Sequence, residues 1–168
     1  MTPTLRDARP EDIETVRAIE RASAQRFIGL MDALAADEPS SPEVLAARIA
    51  AGGLLVAIDA DAPIAFVMFR PVEDGLYIEQ IDVLPAFAGQ RIGARLLDAA
   101  ADTARTRGLS ALTLSTFREV PWNAPWYRRL GFIDIADVAL TPGLLEIRRA
   151  HLERGLDEDA RTFMRRPV

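Results

Sequence analysis

The sequence predicts an α/β fold, a mixed and mostly antiparallel sheet with one parallel strand pair and helices on both faces. Strand-like and helix-like segments alternate along the chain without a linker, repeat or low-complexity segment. Three strand-like segments follow one another through tight turns, which makes them antiparallel neighbours. A strand, a long helix and another strand then follow in that order, which predicts one parallel pair.

The first third of the chain is predicted to hold one strand and two helices. Residues 4–8 form a short strand, and Pro10 with its acidic neighbours then opens a helix. Apolar residues at helical spacing continue this helix to about Phe27. A second helix opens at residues 40–43 and ends at the glycine pair 52–53.

The three antiparallel strands are predicted at residues 54–59, 64–71 and 76–84, with turns at 59–63 and at Asp74-Gly75 between them. A long helix follows from Ile92 and is closed by Gly108. The remaining elements are predicted as a strand at 111–116, a short helix at 125–130, a strand at 132–135, a helix at 142–153 and a last strand at 161–165.

Length and composition limit the class of protein. The 168 residues fit a single domain, predicted to span residues 1–168. The formal charge is −5, and a mildly acidic chain is a poor general binder of nucleic acid. The chain has no cysteine, which excludes disulfides, thiolate metal sites and a cysteine nucleophile. No apolar run reaches about 20 residues and no secretory signal is visible. We therefore expect a cytoplasmic protein that binds neither a membrane nor a metal.

Residues 79–97 carry the first chemical signal. A predicted strand ends at Pro85, a loop with Gly89 follows, and a long helix begins near Gly93. Unpaired amides at the loop and at the helix N-terminus would bind an anion such as a diphosphate. Taken alone, the pattern fits equally well a strand-to-helix turn that needs glycine only for its geometry.

Residues 122–132 carry the second signal. Asn123 and Tyr127 are spaced i and i+4 on a predicted short helix, so they share one face. An Asn helix cap followed by a core aromatic would give the same pattern. Neither segment decides the function by itself.

Together, in this order, the two segments resemble the GNAT N-acetyltransferases. That family has a strand, the motif Arg/Gln-x-x-Gly-x-Gly/Ala, a helix, a strand, and later an aromatic-Tyr-x-x-x-Gly-Phe element. Here residues 88–93 read Ala-Gly-Gln-Arg-Ile-Gly, and residues 126–132 read Trp-Tyr-Arg-Arg-Leu-Gly-Phe. The chain departs from the motif at Ala88 and at Arg91, which stands where the family has glycine. We expect Arg91 not to take up backbone angles reserved for glycine.

The resemblance implies the GNAT fold and an acyltransferase that moves an acetyl group from acetyl-CoA to a primary amine. It implies that Tyr127 protonates the departing thiolate, while a backbone amide of Val83 or Leu84 faces the thioester oxygen. The residues that the resemblance and the loop assign to acetyl-CoA binding are Val83, Leu84, Ala88, Gly89, Arg91, Ile92, Gly93, Ala94 and Asn123.

A base must also take a proton from the amine, since an amine with a pKa near ~10 is mostly protonated at neutral pH. Glu79 is the first candidate because it precedes Ile81 and Val83 on one face of the central strand. Asp82, which points to the opposite face, and Glu119 are the alternatives. His151 is expected on a solvated helix face.

The acceptor is expected to be a small-molecule amine. A protein N-terminus or lysine as acceptor, or a sensor that binds acyl-CoA without turnover, are the alternatives. In the family the acceptor depends mainly on the region before the second strand, and residues 22–51 contain no side-chain pattern that names a substrate. A homodimer is possible by analogy with the family.

Overall fold

The computed structural model describes residues 2–31 and 38–168 and confirms the predicted mixed α/β fold. Its strands and helices are, in chain order, β1 (Thr4–Asp7), α1 (Ile13–Ala24), α2 (Pro42–Ala50), β2 (Leu54–Asp59), β3 (Ala62–Val72), β4 (Gly75–Val83), α3 (Ile92–Thr106), β5 (Ala111–Phe117), α4 (Ala124–Arg129), β6 (Ile133–Ile135), α5 (Pro142–Glu153) and β7 (Arg161–Pro167).

The strands form one seven-stranded sheet in the order β1-β2-β3-β4-β5-β7-β6. The pair β4–β5 is parallel, with Gly75 opposite Ala111 and Tyr77 opposite Thr113. The pairs β1–β2, β2–β3, β5–β7 and β6–β7 are antiparallel. The parallel pair is the one that the strand–helix–strand order predicted, and α3 is its crossover helix.

The segment that leads into α1 differs slightly from its prediction. Residues Pro10–Asp12 form a 3-10 turn, and the α-helix proper begins at Ile13. Asp12 accepts hydrogen bonds from the Arg9 amide at 2.8 Å and from the Arg6 guanidinium at 2.7 Å, which holds this turn in place. At the other end, a 3-10 turn carries the chain from Ala24 to Phe27, where the predicted helix ends.

The chain divides into two compact units, and the first comprises Met1–Arg70 and Gln80–Ala100. Its core joins α1 and α2 to the first strands through side chains that are almost completely buried. Those core residues are Ala8, Val16, Ile19, Leu45, Leu54, Val56, Phe66 and Met68, with Leu84 packed against them. Gly53 lies so close to β3 that an added Cβ atom would stand 2.4 Å from the Phe69 carbonyl oxygen.

The second unit comprises Pro71–Glu79 and Ala101–Val168. One face of α5 packs on β4 and β7 through buried side chains, namely Tyr77, Leu140, Leu144, Ile147 and Phe163. The Thr141 side chain accepts a hydrogen bond from the Leu144 amide, which caps α5, and Pro142 occupies its first turn.

No helix within residues 2–31 and 38–168 combines the length and the apolar character needed to cross a bilayer.

Candidate functional site

The segment from β4 to α3 has the geometry of an anion-binding loop. A 3-10 turn at Pro85–Phe87 follows β4, and Gly89 and Arg91 both have positive φ angles, +79° and +60°. These turns lead directly into the N-terminus of α3 at Ile92, where the first turn of a helix presents free amides and a partial positive charge. The Arg95 amide donates to the Arg91 carbonyl oxygen at 3.1 Å, so Arg91 is joined to the first turn of the helix.

The backbone of Arg91 corrects the sequence-based expectation. At φ +60° this arginine does adopt the left-handed conformation that glycine adopts without cost. The conformation costs a non-glycine residue about 1–2 kcal/mol. The loop therefore keeps its glycine-like path although the glycine is replaced, and the Arg91 side chain is exposed at the start of α3.

A second arginine, Arg95, lies one helical turn further along α3. Its Nη1 atom is buried and has no hydrogen-bond partner among the described residues. A buried guanidinium nitrogen without a partner is costly, so an anionic ligand would complete the surroundings of Arg95. Ile92, Gly93 and Ala94, between the two arginines, are buried.

Val83 and Leu84, the two residues whose backbone amides were predicted to face a thioester oxygen, differ in the hydrogen bonding of those amides. The Leu84 amide donates to the Ile64 carbonyl oxygen of β3 at 2.9 Å, so it is already engaged. Successive amides of a strand point to opposite sides. The neighbouring Val83 amide is therefore the one expected to point away from β3.

Tyr127 lies on the short helix α4, buried to all but 7 % of its surface. Its ring makes edge contacts with Trp126, at 4.9 Å between centroids, and with Phe132, at 5.5 Å. Asn123 precedes α4, but its side chain forms no capping hydrogen bond, and its Oδ1 atom is buried without a partner among the described residues. The Asn-cap alternative therefore does not explain Asn123.

The three predicted base candidates have different environments. Glu79 is partly buried on β4, and Glu119 is exposed beyond β5. Asp82 accepts hydrogen bonds from the Ser23 hydroxyl at 2.9 Å and from the Gln80 amide at 2.8 Å. The pKa of Asp82 is raised to about 7, chiefly by burial; the charge of Glu20 contributes to the rise, and the two hydrogen bonds oppose it. A pKa near 7 suits a group that acts as a base near neutral pH.

Glu20 is a residue that sequence reasoning missed. It is a buried carboxylate on α1, only 8 % exposed, and its Oε2 atom accepts a hydrogen bond from the Ser40 amide at 2.6 Å. A signal was present in the sequence, because Glu20 interrupts the apolar face that Val16 and Ile19 define. A charged residue at a core position of an amphipathic helix is rare unless it has a partner or a function.

His151 does not lie on a solvated face, contrary to the expectation. Its Nδ1 atom is 2.6 Å from the buried Glu158 carboxylate, and its ring stacks on Phe163. Burial, followed by the charge of Arg161, lowers the pKa of His151, while Glu158 opposes this shift. The contacts assign His151 a structural role within the second unit.

Within the part of the chain that the structure describes, no three His, Cys, Asp or Glu side chains are grouped as a metal site would require. Positions 32–37 of the stretch expected to influence acceptor choice lie outside the described residues.

The family model described as the acetyltransferase (GNAT) family matches residues 16–132, which include β4, the loop, α3 and Tyr127. The chain belongs to this family. The sequence resemblance of the two motifs to GNAT proteins is thereby confirmed, and the matched region covers well over half of this GNAT chain.

Several solved structures share the fold of this chain. The PaiA N-acetyltransferase of Thermoplasma acidophilum, in complex with coenzyme A, is 18 % identical, with a TM-score of 0.74 and complete coverage of both chains. The N-acetylglutamate synthase of Neisseria gonorrhoeae, complexed with coenzyme A and N-acetyl-glutamate, is 19 % identical, with a TM-score of 0.77. The alignment covers 100 % of this GNAT chain and 35 % of the synthase.

A third structure has a different kind of acceptor. The ribosomal-protein-S18-alanine N-acetyltransferase of Escherichia coli is 18 % identical, with a TM-score of 0.67, over 99 % of this chain and 94 % of that chain. Structures that share the GNAT fold thus carry the names of both small-molecule and protein acetyltransferases. At these identities the likeness establishes the fold, and the acceptor has to be argued from this chain's own residues.

Proposed function

We propose that this chain acts as a single N-acetyltransferase domain that moves the acetyl group of acetyl-CoA to a primary amine of a small molecule. The observation that carries the proposal is the left-handed backbone of Gly89 and Arg91 directly before the N-terminus of α3. This path presents successive amides to a diphosphate, which is the anionic part of coenzyme A. The coenzyme A in the Thermoplasma acidophilum structure supports the same ligand here.

The loop and the first turn of α3 would hold the diphosphate through their backbone amides. Ala88 fits this role because an amide donor does not depend on its side chain, and Gly93 allows a close approach. The exposed Arg91 side chain would add a charge-assisted hydrogen bond, and the unpartnered Nη1 atom of Arg95 would gain an anion. The Asn123 Oδ1 atom also has no partner among the described residues, and it would accept a hydrogen bond from an amide N–H of the pantetheine arm.

The chemistry is a direct attack of the amine on the thioester carbonyl carbon. The Val83 amide, directed away from β3, would stabilise the negative charge that develops on the carbonyl oxygen. Tyr127 would donate a proton to the departing thiolate. Asp82 becomes the preferred base because its raised pKa suits proton transfer near neutral pH, and Glu79 remains the alternative on the opposite face of β4.

The test of the proposal is thiol release from acetyl-CoA in the presence of a panel of primary amines. Because the chain has no cysteine, a thiol reagent reports only the coenzyme A product. Amine-dependent release, with acetyl-amine formed in equal amount, supports the enzyme. Acetyl-CoA binding without turnover on a broad panel would instead support a sensor, and turnover restricted to peptides would support a protein acetyltransferase.

A further inference from the structure

A polar cleft opens within the second unit, where β5 ends and β7 begins. Its volume is about 340 Å³, open solvent included, which is near the low end of the roughly 300–1,000 Å³ of ligand pockets. It therefore has room for one small charged group of a ligand. We name it the arginine cleft, and its charged lining consists of Arg118, Arg148 and Arg161 with Asp137, Glu158 and Asp159.

Arg161 forms the inner wall of the arginine cleft and is held in one orientation. Its Nε atom donates to the Ser115 hydroxyl at 3.2 Å, and its Nη2 atom donates to the Ser115 carbonyl oxygen at 3.1 Å. The guanidinium group also lies over the Phe117 ring, 4.8 Å from its centroid. Its Nη1 atom forms no hydrogen bond with the described residues. Arg161 is thus a preorganised cation with one donor nitrogen available to a ligand.

The other two arginines of the cleft keep most of their donors available. Arg118 donates only its Nε atom, to the Asp159 carbonyl oxygen at 3.2 Å. The Arg148 Nη1 atom is 3.7 Å from the Asp137 carboxylate, which is too far for a hydrogen bond. The remaining guanidinium nitrogens of both side chains have no hydrogen-bond partner among the described residues. Planar guanidinium donors match the two oxygens of a carboxylate, so these arginines are suited to bind one.

The carboxylates of the cleft leave this capacity largely unused. Glu158 is buried, and its Oε1 atom lies 2.6 Å from the His151 Nδ1 atom, so its main contact is outside the arginine set. The Asp137 side chain is 69 % exposed, and a loose ion pair at the surface contributes little. A ligand carboxylate that forms two hydrogen bonds with Arg148 would therefore displace Asp137 easily. Asp159 is exposed and contacts Arg118 through its backbone oxygen.

The inner wall of the cleft is electrostatically coupled to the proposed proton donor, Tyr127, which belongs to the same unit. Arg161 pairs with Phe117 across β5 and β7, at the carboxyl end of β5. The pKa of Arg161 is lowered, chiefly by burial, and Tyr77 and Tyr127 are among the groups that oppose this shift. Because such an interaction weakens with distance, Tyr127 lies near the inner wall. A molecule bound in the cleft is therefore close to the group proposed to protonate the thiolate.

We propose, building on the acetyltransferase function above, that the arginine cleft binds a carboxylate of the acceptor, so the preferred substrate is an amine that also carries a carboxylate. Arg118 and Arg148 would donate through their available Nη atoms, and Arg161 would donate through Nη1. Holding the carboxylate at one end orients the amine at the other end for attack. An alkylamine without a carboxylate would leave the three guanidinium groups to water and would lack this orientation.

The experiment compares amino acids of increasing length with matched alkylamines as acceptors. Glycine, β-alanine, 4-aminobutyrate and 5-aminopentanoate are each paired with the amine that carries a methyl group in place of the carboxylate. The ratio of the two kcat/KM values then measures recognition of the carboxylate alone. For the wild type we expect this ratio to favour the amino acid by about tenfold or more at one length at least. A ratio of one or less at every length would overturn the carboxylate site and leave the acetyltransferase function standing.

Two variants test the arginines that keep available donors. Arg148→Gln should lower the ratio about tenfold, mainly through KM, because charge-assisted hydrogen bonds to the carboxylate are lost. Arg118→Gln should lower it in the same direction, and neither variant should change kcat/KM for the alkylamine. Arg149→Gln is the matched control, since it makes the same chemical change at the next residue of α5, which is exposed and outside the lining. An equal loss for both members of a pair in Arg148→Gln would contradict carboxylate recognition.

A binding measurement separates this inference from the proposed function. Isothermal titration of the four amino acids into the protein with coenzyme A, which carries no acetyl group, needs no turnover. Binding that Arg148→Gln weakens and Arg149→Gln does not supports the site even when no amine is acetylated. If none of the four amino acids binds the wild type, the arginine cleft is not an acceptor site, whatever the protein acetylates.

Discussion

Ser23 of α1 donates a hydrogen bond of 2.9 Å to Asp82 of β4, a residue 59 positions later in the chain. The bond joins α1 to the residue that precedes Val83, whose backbone amide is predicted to stabilise the oxyanion. It also holds a carboxyl group whose pKa, near 7, lies far above the ordinary value of an aspartate.

We predict that kcat/KM rises with pH through a limb near pH 7 that belongs to Asp82. The base form exists above the pKa, and the side chains of Ser23, Gln80, Glu20 and Arg26 are those that act on it. Asp82→Asn should remove this limb and lower kcat/KM at pH 7.5 by about 10²- to 10⁴-fold. Asp102→Asn, an exposed aspartate on α3, is the control. An unchanged limb in Asp82→Asn would show that Asp82 is not the base.

Tyr127→Phe should lower kcat by about 10²- to 10⁴-fold while the affinity for acetyl-CoA stays nearly constant. The substitution removes only a hydroxyl, and the ring keeps its contacts with Trp126 and Phe132. Steady-state kinetics and calorimetric binding of acetyl-CoA measure the two effects separately. Tyr77→Phe, the same change at the other tyrosine of the chain, should not reproduce the loss of turnover. A variant with wild-type kcat would show that another group protonates the thiolate.

Arg91→Gly should stabilise the protein by about 1 kcal/mol, because glycine adopts the left-handed conformation without strain. The same substitution should weaken binding of acetyl-CoA, since a cation is lost from the loop. Arg91→Ala keeps the backbone strain and loses the charge, so it should weaken binding without the gain in stability. Denaturant titration and calorimetry test both effects. Equal free energies of unfolding for the glycine and alanine variants would contradict the proposed backbone strain at Arg91.

Gly53→Ala should destabilise the protein by about 1–3 kcal/mol, as overpacking does. The added Cβ atom would lie 2.4 Å from the Phe69 carbonyl oxygen. This oxygen belongs to the backbone of β3, so no side-chain rotation can relieve the clash. Gly75→Ala serves as the control, because its Cβ atom would meet the Ala111 carbonyl oxygen at 3.4 Å. The midpoint of thermal unfolding should fall for the first variant and change little for the second.

The His151–Glu158 pair should make the stability depend on pH. Burial lowers the pKa of His151 below 6.5, so the unfolded chain binds this proton more readily than the folded protein does. The free energy of unfolding should therefore fall as pH falls through about 6.5. His151→Gln should reduce the difference between denaturant titrations at pH 7 and pH 5. A difference as large as in the wild type would assign the pH dependence to other groups.

The sequence predicted the elements well because their boundaries carry local signals. Pro42 and Pro142 mark helix starts, and the strand–helix–strand order around α3 predicted the parallel pair. The left-handed backbone of Arg91 was not predictable, because it depends on the surrounding loop and opposes the residue's own preference.

The base and its surroundings were only partly predictable. Asp82 and Glu79 are alike in sequence, and what distinguishes them is a hydrogen bond from a helix 59 positions away. Such long-range contacts leave no local pattern. Glu20 was the exception, because a carboxylate on the apolar side of α1 is visible in the sequence once the helix is drawn. His151 was assigned wrongly because its partner, Glu158, lies beyond the end of its helix.

The buried carboxylate of Glu20 is the group through which α1 holds the chain that leads into α2, because its Oε2 atom accepts a hydrogen bond from the Ser40 amide at 2.6 Å. An apolar side chain at this position would relieve the desolvation of a charge but would leave that amide without its acceptor. Engineering for a higher melting temperature should therefore replace Glu20 by glutamine, which keeps an acceptor oxygen and removes the charge, rather than by leucine.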